Sequence, residues 1–163
     1  METSKNETVK VERLSASYRT IYTDIIIDAT PEQVWSVLTD TASYKKWAAF
    51  LVDIQGEIKD GEKITAIFQT NPKKEKRTTI EHTISVTDGK EFFWAEKGPG
   101  GIRDNHHFRV EPTSDGKTRF VQSDEIMKGI TWLMGGNLSK MYAEGYTAFN
   151  RKLKAEVEQR FNQ

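Results

Sequence analysis

From about Thr131 to Phe161 the chain keeps one helical spacing of large side chains: Leu138, Tyr142, Phe149, Leu153 and Val157, with Gly145 in the same series. At about 1.5 Å per residue such a helix would run about 45 Å. Everything before it is built from short segments, so the fold must use this helix as its backbone. The preceding residues read as strands. Tyr18–Asp28 carries the β-branched run Ile25, Ile26, Ile27. Five more runs are expected at Val52–Ile58, Lys63–Gln69, Thr78–Thr87, Glu91–Lys97 and Ile102–Glu111, and a seventh strand at Thr118–Ile126. Turn residues separate them, among them Asp60-Gly61, Asp88-Gly89 and Asp115-Gly116.

Two short helices interrupt the strands after the first one. Thr30 is a good N-cap, Pro31 suits the first helical position, and Gln33 completes a capping box. Val34, Trp35, Val37 and Leu38 make that helix amphipathic. A second helix is read over Asp40–Trp47, with Tyr44 and Trp47 on one face. Consecutive strands joined by short turns are antiparallel. A seven-stranded sheet needs one face covered, and only the terminal helix is long enough to cover it. The expectation is an α+β domain over residues 18–163, its curved antiparallel sheet wrapped around the C-terminal helix and a cavity between them. Residues 1–17 are expected to be a weakly ordered tail, with VKVERL as an unfavoured candidate for an edge strand.

Composition narrows the function. Lys plus Arg and Asp plus Glu both number 24, so net charge gives no reason to expect nucleic acid or an anionic membrane as partner. The chain has no cysteine, which removes disulfides, thiolate metal sites and a cysteine nucleophile. The N-terminal segment lacks the apolar core of a secretory leader, and no run approaches the length of a membrane span. A cytoplasmic protein, monomeric or weakly dimeric, is expected. There is no phosphate loop, nucleophile elbow or dinucleotide fingerprint.

Strand parity selects the candidate site. Phe108 and Val110 should face inward, and Asp104 and His106 share their face. On the next strand Phe120 faces inward with Gln122 and Asp124, and on an earlier one His82 lies between Ile80 and Ile84. Five polar groups thus enter an apolar interior. An imidazole beside a carboxylate suggests a general base, with His106 and Asp124 opposite each other. The bland alternative is a buried polar patch satisfying itself. His82, His106 and Asp124 could also make a two-His, one-carboxylate metal set, but His106-His107 cannot act together, because neighbours on a strand point to opposite faces. No cofactor is expected. Trp94, Met134, Met141 and Phe149 complete the expected lining, with Met134 and Met141 where the grip opens and Gly135-Gly136 as a kink or hinge, or else as an ordinary loop before a helix that begins at Asn137. Trp35 is read as core, and Trp47 and Trp132 as further candidates for the lining.

These residues carry a resemblance. ATPEQVWSVLTDTASYKKWAAF, GEIKDGEKI, NHHFRVEPTSDGKTRFVQSDEI and GYTAFNRKLKAEVE, taken in this order, resemble the polyketide cyclase/dehydrase branch of the START-like, or SRPBCC, superfamily. That superfamily's helix-grip fold is shared by birch-pollen allergen and lipid-transfer domains. The resemblance implies a hydrophobic cavity, a small hydrophobic ligand such as a lipid or polycyclic, polyketide-like compound, and no obligatory metal. It puts His106 where the family has a histidine two before an aromatic. The chain departs from the branch pattern after Trp47, where Ala48-Ala49 replaces a common Asn-Pro pair. Binding of such a ligand is the first expectation. The alternatives are a cyclase or dehydratase using His106 and Asp124, and a protein-interaction module like the heat-shock-ATPase activator homologues.

Overall fold

A computed structural model of the protein describes residues 6–162. Nine strands and three α-helices follow in the order β1 (Glu7–Ser15), β2 (Tyr18–Ile27), α1 (Pro31–Thr39), α2 (Tyr44–Trp47, preceded by a 3-10 turn at Thr41–Ser43), β3 (Leu51–Gln55), β4 (Lys63–Phe68), β5 (Thr78–Thr83), β6 (Ser85–Thr87), β7 (Glu91–Lys97), β8 (Arg103–Pro112), β9 (Thr118–Met127) and α3 (Thr131–Phe161). The α+β helix-grip architecture is present, with a long C-terminal helix against a curved antiparallel sheet.

Two details differ from the expectation. Glu7–Ser15 is a strand and not a tail: it pairs with β2 from Glu7↔Ile25 to Ser15↔Tyr18. The Val9-Lys10-Val11 alternation supports it, and Glu7 is held by Arg151 of α3 through two hydrogen bonds. Residues 1–5 lie outside the described residues. The single sheet of seven strands is two sheets, ordered β1-β2-β9-β8-β7-β6 and β3-β4-β5. The expected strand Thr78–Thr87 divides at Ile84. The Ile84 N–H donates to the Glu62 carbonyl at 3.0 Å and its own carbonyl accepts from Gly61 N–H at 2.9 Å. These bonds tie Ile84 to the β3–β4 turn, so β5 stays with β4 while β6 joins β7.

Pattern and packing agree strand by strand. In β2 the odd-numbered residues from Arg19 to Ile27 are all buried and the even-numbered ones are not. Thr30 caps α1, and Gln33 closes the capping box in return. Tyr44 and Trp47 of α2 both meet Phe149 of α3, at ring separations of 5.7 and 5.5 Å, so the short helices close one end of the grip. Phe149, Leu153 and Val157 carry the core face of α3, each such side chain contributing about 1.5–3 kcal/mol of burial.

The first turns of α3 are packed differently. Their buried residues are Thr131, Gly135 and Ser139, one small residue per turn. Small residues bring the helix close to β2, and Trp132, Leu133 and Met134 are left on the outer side, 64%, 68% and 43% exposed. The helix runs unbroken through Gly135-Gly136, which form neither kink nor loop.

Farther along α3, Gly145 receives a neighbour. A Cβ there would stand 2.3–2.7 Å from the Phe50 ring. Phe50 itself has φ 68°, a left-handed conformation that costs a bulky residue about 1–3 kcal/mol. Its carbonyl accepts from Gln69 N–H at 2.7 Å, and its ring meets Phe68, Tyr142 and Tyr146. Gly145→Ala is therefore expected to lower stability by about 1–3 kcal/mol through overpacking. Gly136→Ala, with no atom within 4 Å of the added Cβ, should raise it by up to about 1 kcal/mol. Urea denaturation of the two variants beside the wild type checks both signs.

Candidate functional site

The division of the sheet leaves a seam, and the seam holds a cavity of about 180 Å³. β5 contributes Thr78, Ile80 and His82, and β7 and β8 contribute Trp94, Asp104 and His106. α3 closes the cavity with Met141, Tyr142 and Tyr146, and Phe50, Phe68 and Thr70 complete the wall. Trp94 joins the two sheets: His82 stacks on its indole at 4.4 Å, and His106 meets it edge-on at 5.3 Å. The indole thus keeps the two imidazoles apart, and His82, His106 and Asp124 do not converge as a metal set.

His106 is 2% exposed and sandwiched between Phe108 at 4.1 Å and Tyr146 at 4.3 Å. His107, its neighbour on the other face, stacks on Phe93 and bonds Glu91 at 2.6 Å. His106 Nε2 is 2.9 Å from Gln122 Oε1. Gln122 Nε2 donates to Asn150 Oδ1 at 2.6 Å, and Asn150 Nδ2 donates to Thr23 Oγ1 at 3.1 Å. This relay crosses from β8 through β9 to α3 and back to β2. It is possible because Thr23 and Gln122 are register partners. Burial pushes the His106 imidazole down to about 3, with the Gln122 bond opposing and the other two histidines adding to the fall. The ring is neutral at physiological pH.

Asp124 has other partners. Its Oδ2 accepts from Tyr146 OH at 2.6 Å, and its Oδ1 from Asn105 N–H at 3.1 Å. Burial raises the Asp124 carboxyl despite these bonds. Tyr146 is pushed up by burial and then by Asp124, and Tyr142 rises to about 12 for the same reasons in the same order. The expected His106–Asp124 base pair is not hydrogen-bonded: His106 Nε2 is committed to Gln122 and Asp124 to Tyr146 and Asn105.

A model of the family described as polyketide cyclase/dehydrase and lipid transport matches residues 18–158. The chain belongs to this family. Solved structures agree in fold. The di-domain ARO/CYC StfQ from the steffimycin biosynthetic pathway superposes with a TM-score of 0.73 at 10% identity, over 91% of this chain and 53% of that one. The ZhuI aromatase/cyclase from Streptomyces sp. R1128 gives 0.66 at 15%, over 88% and 95%. The STAR-related lipid transfer protein from Xanthomonas axonopodis gives 0.63 at 12%, over 98% and 97%. At these identities the likeness is one of fold. No curated protein matches the chain by sequence. No helix among the described residues is long and apolar enough to cross a membrane.

Within this family member, five of the expected site residues line the cavity: His82, Trp94, Asp104, His106 and Met141. Gln122 and Asp124 stand behind the wall and bond residues that form it. Phe108, Phe120 and Phe149 belong to the core. Met134 faces outward, because Thr131, Gly135 and Ser139 occupy the inner side of the helix there. Sequence reasoning missed Thr23, Phe50, Tyr142, Tyr146 and Asn150 as site residues. Asn150 carried a signal: it is an amide on the buried face of α3, one turn from Tyr146 and beside Phe149. Phe50 carried none, since its position depends on a left-handed backbone. A larger open groove of about 670 Å³ lies between β1 and one flank of α3, walled by Val9, Val11, Ala143 and Ala148. Its Glu7 and Arg151 are paired with each other, and it contains none of the buried relay.

The neutral histidine sets a pH dependence. Unfolded, it titrates near 6.5; folded, it takes a proton only near 3. Between these values the unfolded chain binds more protons, so stability present above about pH 6.5 is lost as pH falls. Asp124, whose carboxyl is raised, acts in the opposite sense. The stability of the wild type relative to His106→Gln should be constant above about pH 6.5. Below it, the difference should fall by up to about 1.4 kcal/mol per pH unit. Denaturant melts of both proteins across this range check the slope.

Proposed function

We propose that this protein binds one small, largely apolar molecule in the cavity between α3 and the seam of the two sheets, as a binding or carrier protein. The observation that carries the reading is an aromatic-walled cavity with a buried neutral imidazole in its wall. Apolar walls with a few placed polar groups are the usual composition of a small-molecule site. The family's description, which names both cyclase/dehydrase activity and lipid transport, is compatible with this. A volume of about 180 Å³ suits a compact ring system better than a long acyl chain. Binding is favoured over catalysis because the two groups that would form a base pair are bonded elsewhere. A general base must reach the proton it removes, and a histidine with so low a pKa is a weak base.

Isothermal titration with 2-naphthol tests the reading. The wild type should bind one equivalent saturably. Ile80→Trp, which fills the cavity from a 37% exposed position, should weaken binding at least about tenfold while the circular dichroism spectrum is kept. Unchanged affinity in Ile80→Trp would place the probe elsewhere, in the β1–α3 groove for example, and contradict the proposal.

A further inference from the structure

The hydrogen-bond relay behind His106 has a direction, and the direction decides what the cavity can recognise. Thr23 Oγ1 donates to the Gln122 backbone carbonyl at 3.4 Å, and a carbonyl can only accept. The Thr23 oxygen is then an acceptor, so the group facing it from Asn150 is the NH₂, at 3.1 Å. Asn150 Oδ1 consequently faces Gln122, whose NH₂ donates to it at 2.6 Å. The same Gln122 NH₂ lies 3.4 Å from the Tyr146 backbone carbonyl, a second fixed acceptor. Turning the relay round would set the Gln122 oxygen against that carbonyl and remove the donor from Gln122's own. Two backbone carbonyls therefore orient both amides. The Gln122 atom left for His106 is its oxygen, at 2.9 Å, and an oxygen there needs a donor.

We infer that His106 is held as its Nε2–H tautomer, so that Nδ1 offers the cavity a lone pair and selects an apolar ligand bearing a neutral hydroxyl or phenol donor. This rests on the cavity being the binding site, and names the class of molecule it takes. Three further observations fit. Among the described residues, no protein group hydrogen-bonds His106 Nδ1, on a ring that is 2% exposed and lines the cavity. Asp104 adds a carboxyl group to the same wall. The lining includes no Lys or Arg, so a carboxylate or phosphate ligand would find no counter-charge there and only neutral donors, the hydroxyls of Thr70, Thr78 and Tyr142. At His106 Nδ1 a ketone or ether would place acceptor against acceptor. The burial that keeps His106 neutral preserves the lone pair at physiological pH.

The test compares three probes of one ring system at neutral pH, where the naphthol is uncharged: 2-naphthol, 2-methoxynaphthalene and 2-naphthoate. Titration calorimetry should find 2-naphthol bound about tenfold or more tightly than the ether, with the carboxylate weakest. A long-range ¹H–¹⁵N correlation spectrum of the wild type should show His106 with a protonated Nε2 and an unprotonated Nδ1. Gln122→Glu places a carboxylate at Nε2, which favours a second proton on the ring. That turns Nδ1 into a donor and should narrow or reverse the preference. Equal affinities for naphthol and ether, with binding still lost in Ile80→Trp, would leave the cavity reading standing and overturn the donor requirement. So would a spectrum showing Nδ1–H. If none of the three probes binds in an Ile80-sensitive way, the inference falls together with the reading beneath it.

Discussion

The bond between Gln122 and Asn150 joins the two halves of this fold. Gln122 belongs to the sheet and Asn150 to the helix that crosses it, and both are almost fully buried. Each such bond adds only about 1 kcal/mol net, but a buried amide left without its partner costs about 1–3 kcal/mol. Sliding α3 by one turn along the sheet would strand both amides, and with them Thr23 and His106. Apolar packing holds the helix on the sheet, whereas the relay selects one register among the packings that bury similar area. Polar groups in a core serve specificity best when every member is satisfied, and here Thr23 and Gln122 close on backbone carbonyls, leaving His106 Nδ1 turned to the cavity.

That register places Gly145 under Phe50 and Tyr146 over His106. A shift of the helix would push a side chain into the Phe50 ring and uncover the imidazole. The strained backbone at Phe50 belongs to the same arrangement. Its left-handed conformation turns the ring back onto the helix, where it meets Phe68, Tyr142 and Tyr146. The cost is local and the contacts are shared between β4 and α3. The cavity exists because the sheet does not continue across Ile84: β5 follows β4 outward while β6 stays with β7, and the space that opens is walled by His82 on one side and His106 on the other. Trp94 spans it, which preserves the seam without filling it.

Much of this was legible in the residues. Period-two alternation from Phe108 to Val110 and from Phe120 to Asp124 puts His106, Gln122 and Asp124 inside, and the caps at Thr30 and Pro31 mark α1. What parity could not supply was partnership. It set His106 opposite Asp124, yet the side chain one pair along, Gln122, takes the bond, because Tyr146 and Asn105 already satisfy Asp124. Helical spacing identified α3, but Met134 joined the expected lining from its position near the start of the helix, and nothing local says that the first turns approach the sheet on small residues. The break at Ile84 depends on hydrogen bonds to the distant residues Gly61 and Glu62, and no local pattern reports it. Residues 7–15 combine charges with two alternating valines, so composition argued for a tail while pairing with β2 made a strand.

The central claim is that the space between α3 and the sheet seam is the binding site and that His106 is its polar contact. A crystal structure of the protein with 2-naphthol bound tests this most directly. One probe molecule is expected, enclosed by Trp94, Tyr142 and Tyr146, its hydroxyl within hydrogen-bond distance of His106 Nδ1 and the Gln122–Asn150 bond intact. Probe density in the groove between β1 and α3 with the cavity empty, or a probe in the cavity with its hydroxyl turned away from His106, would contradict it.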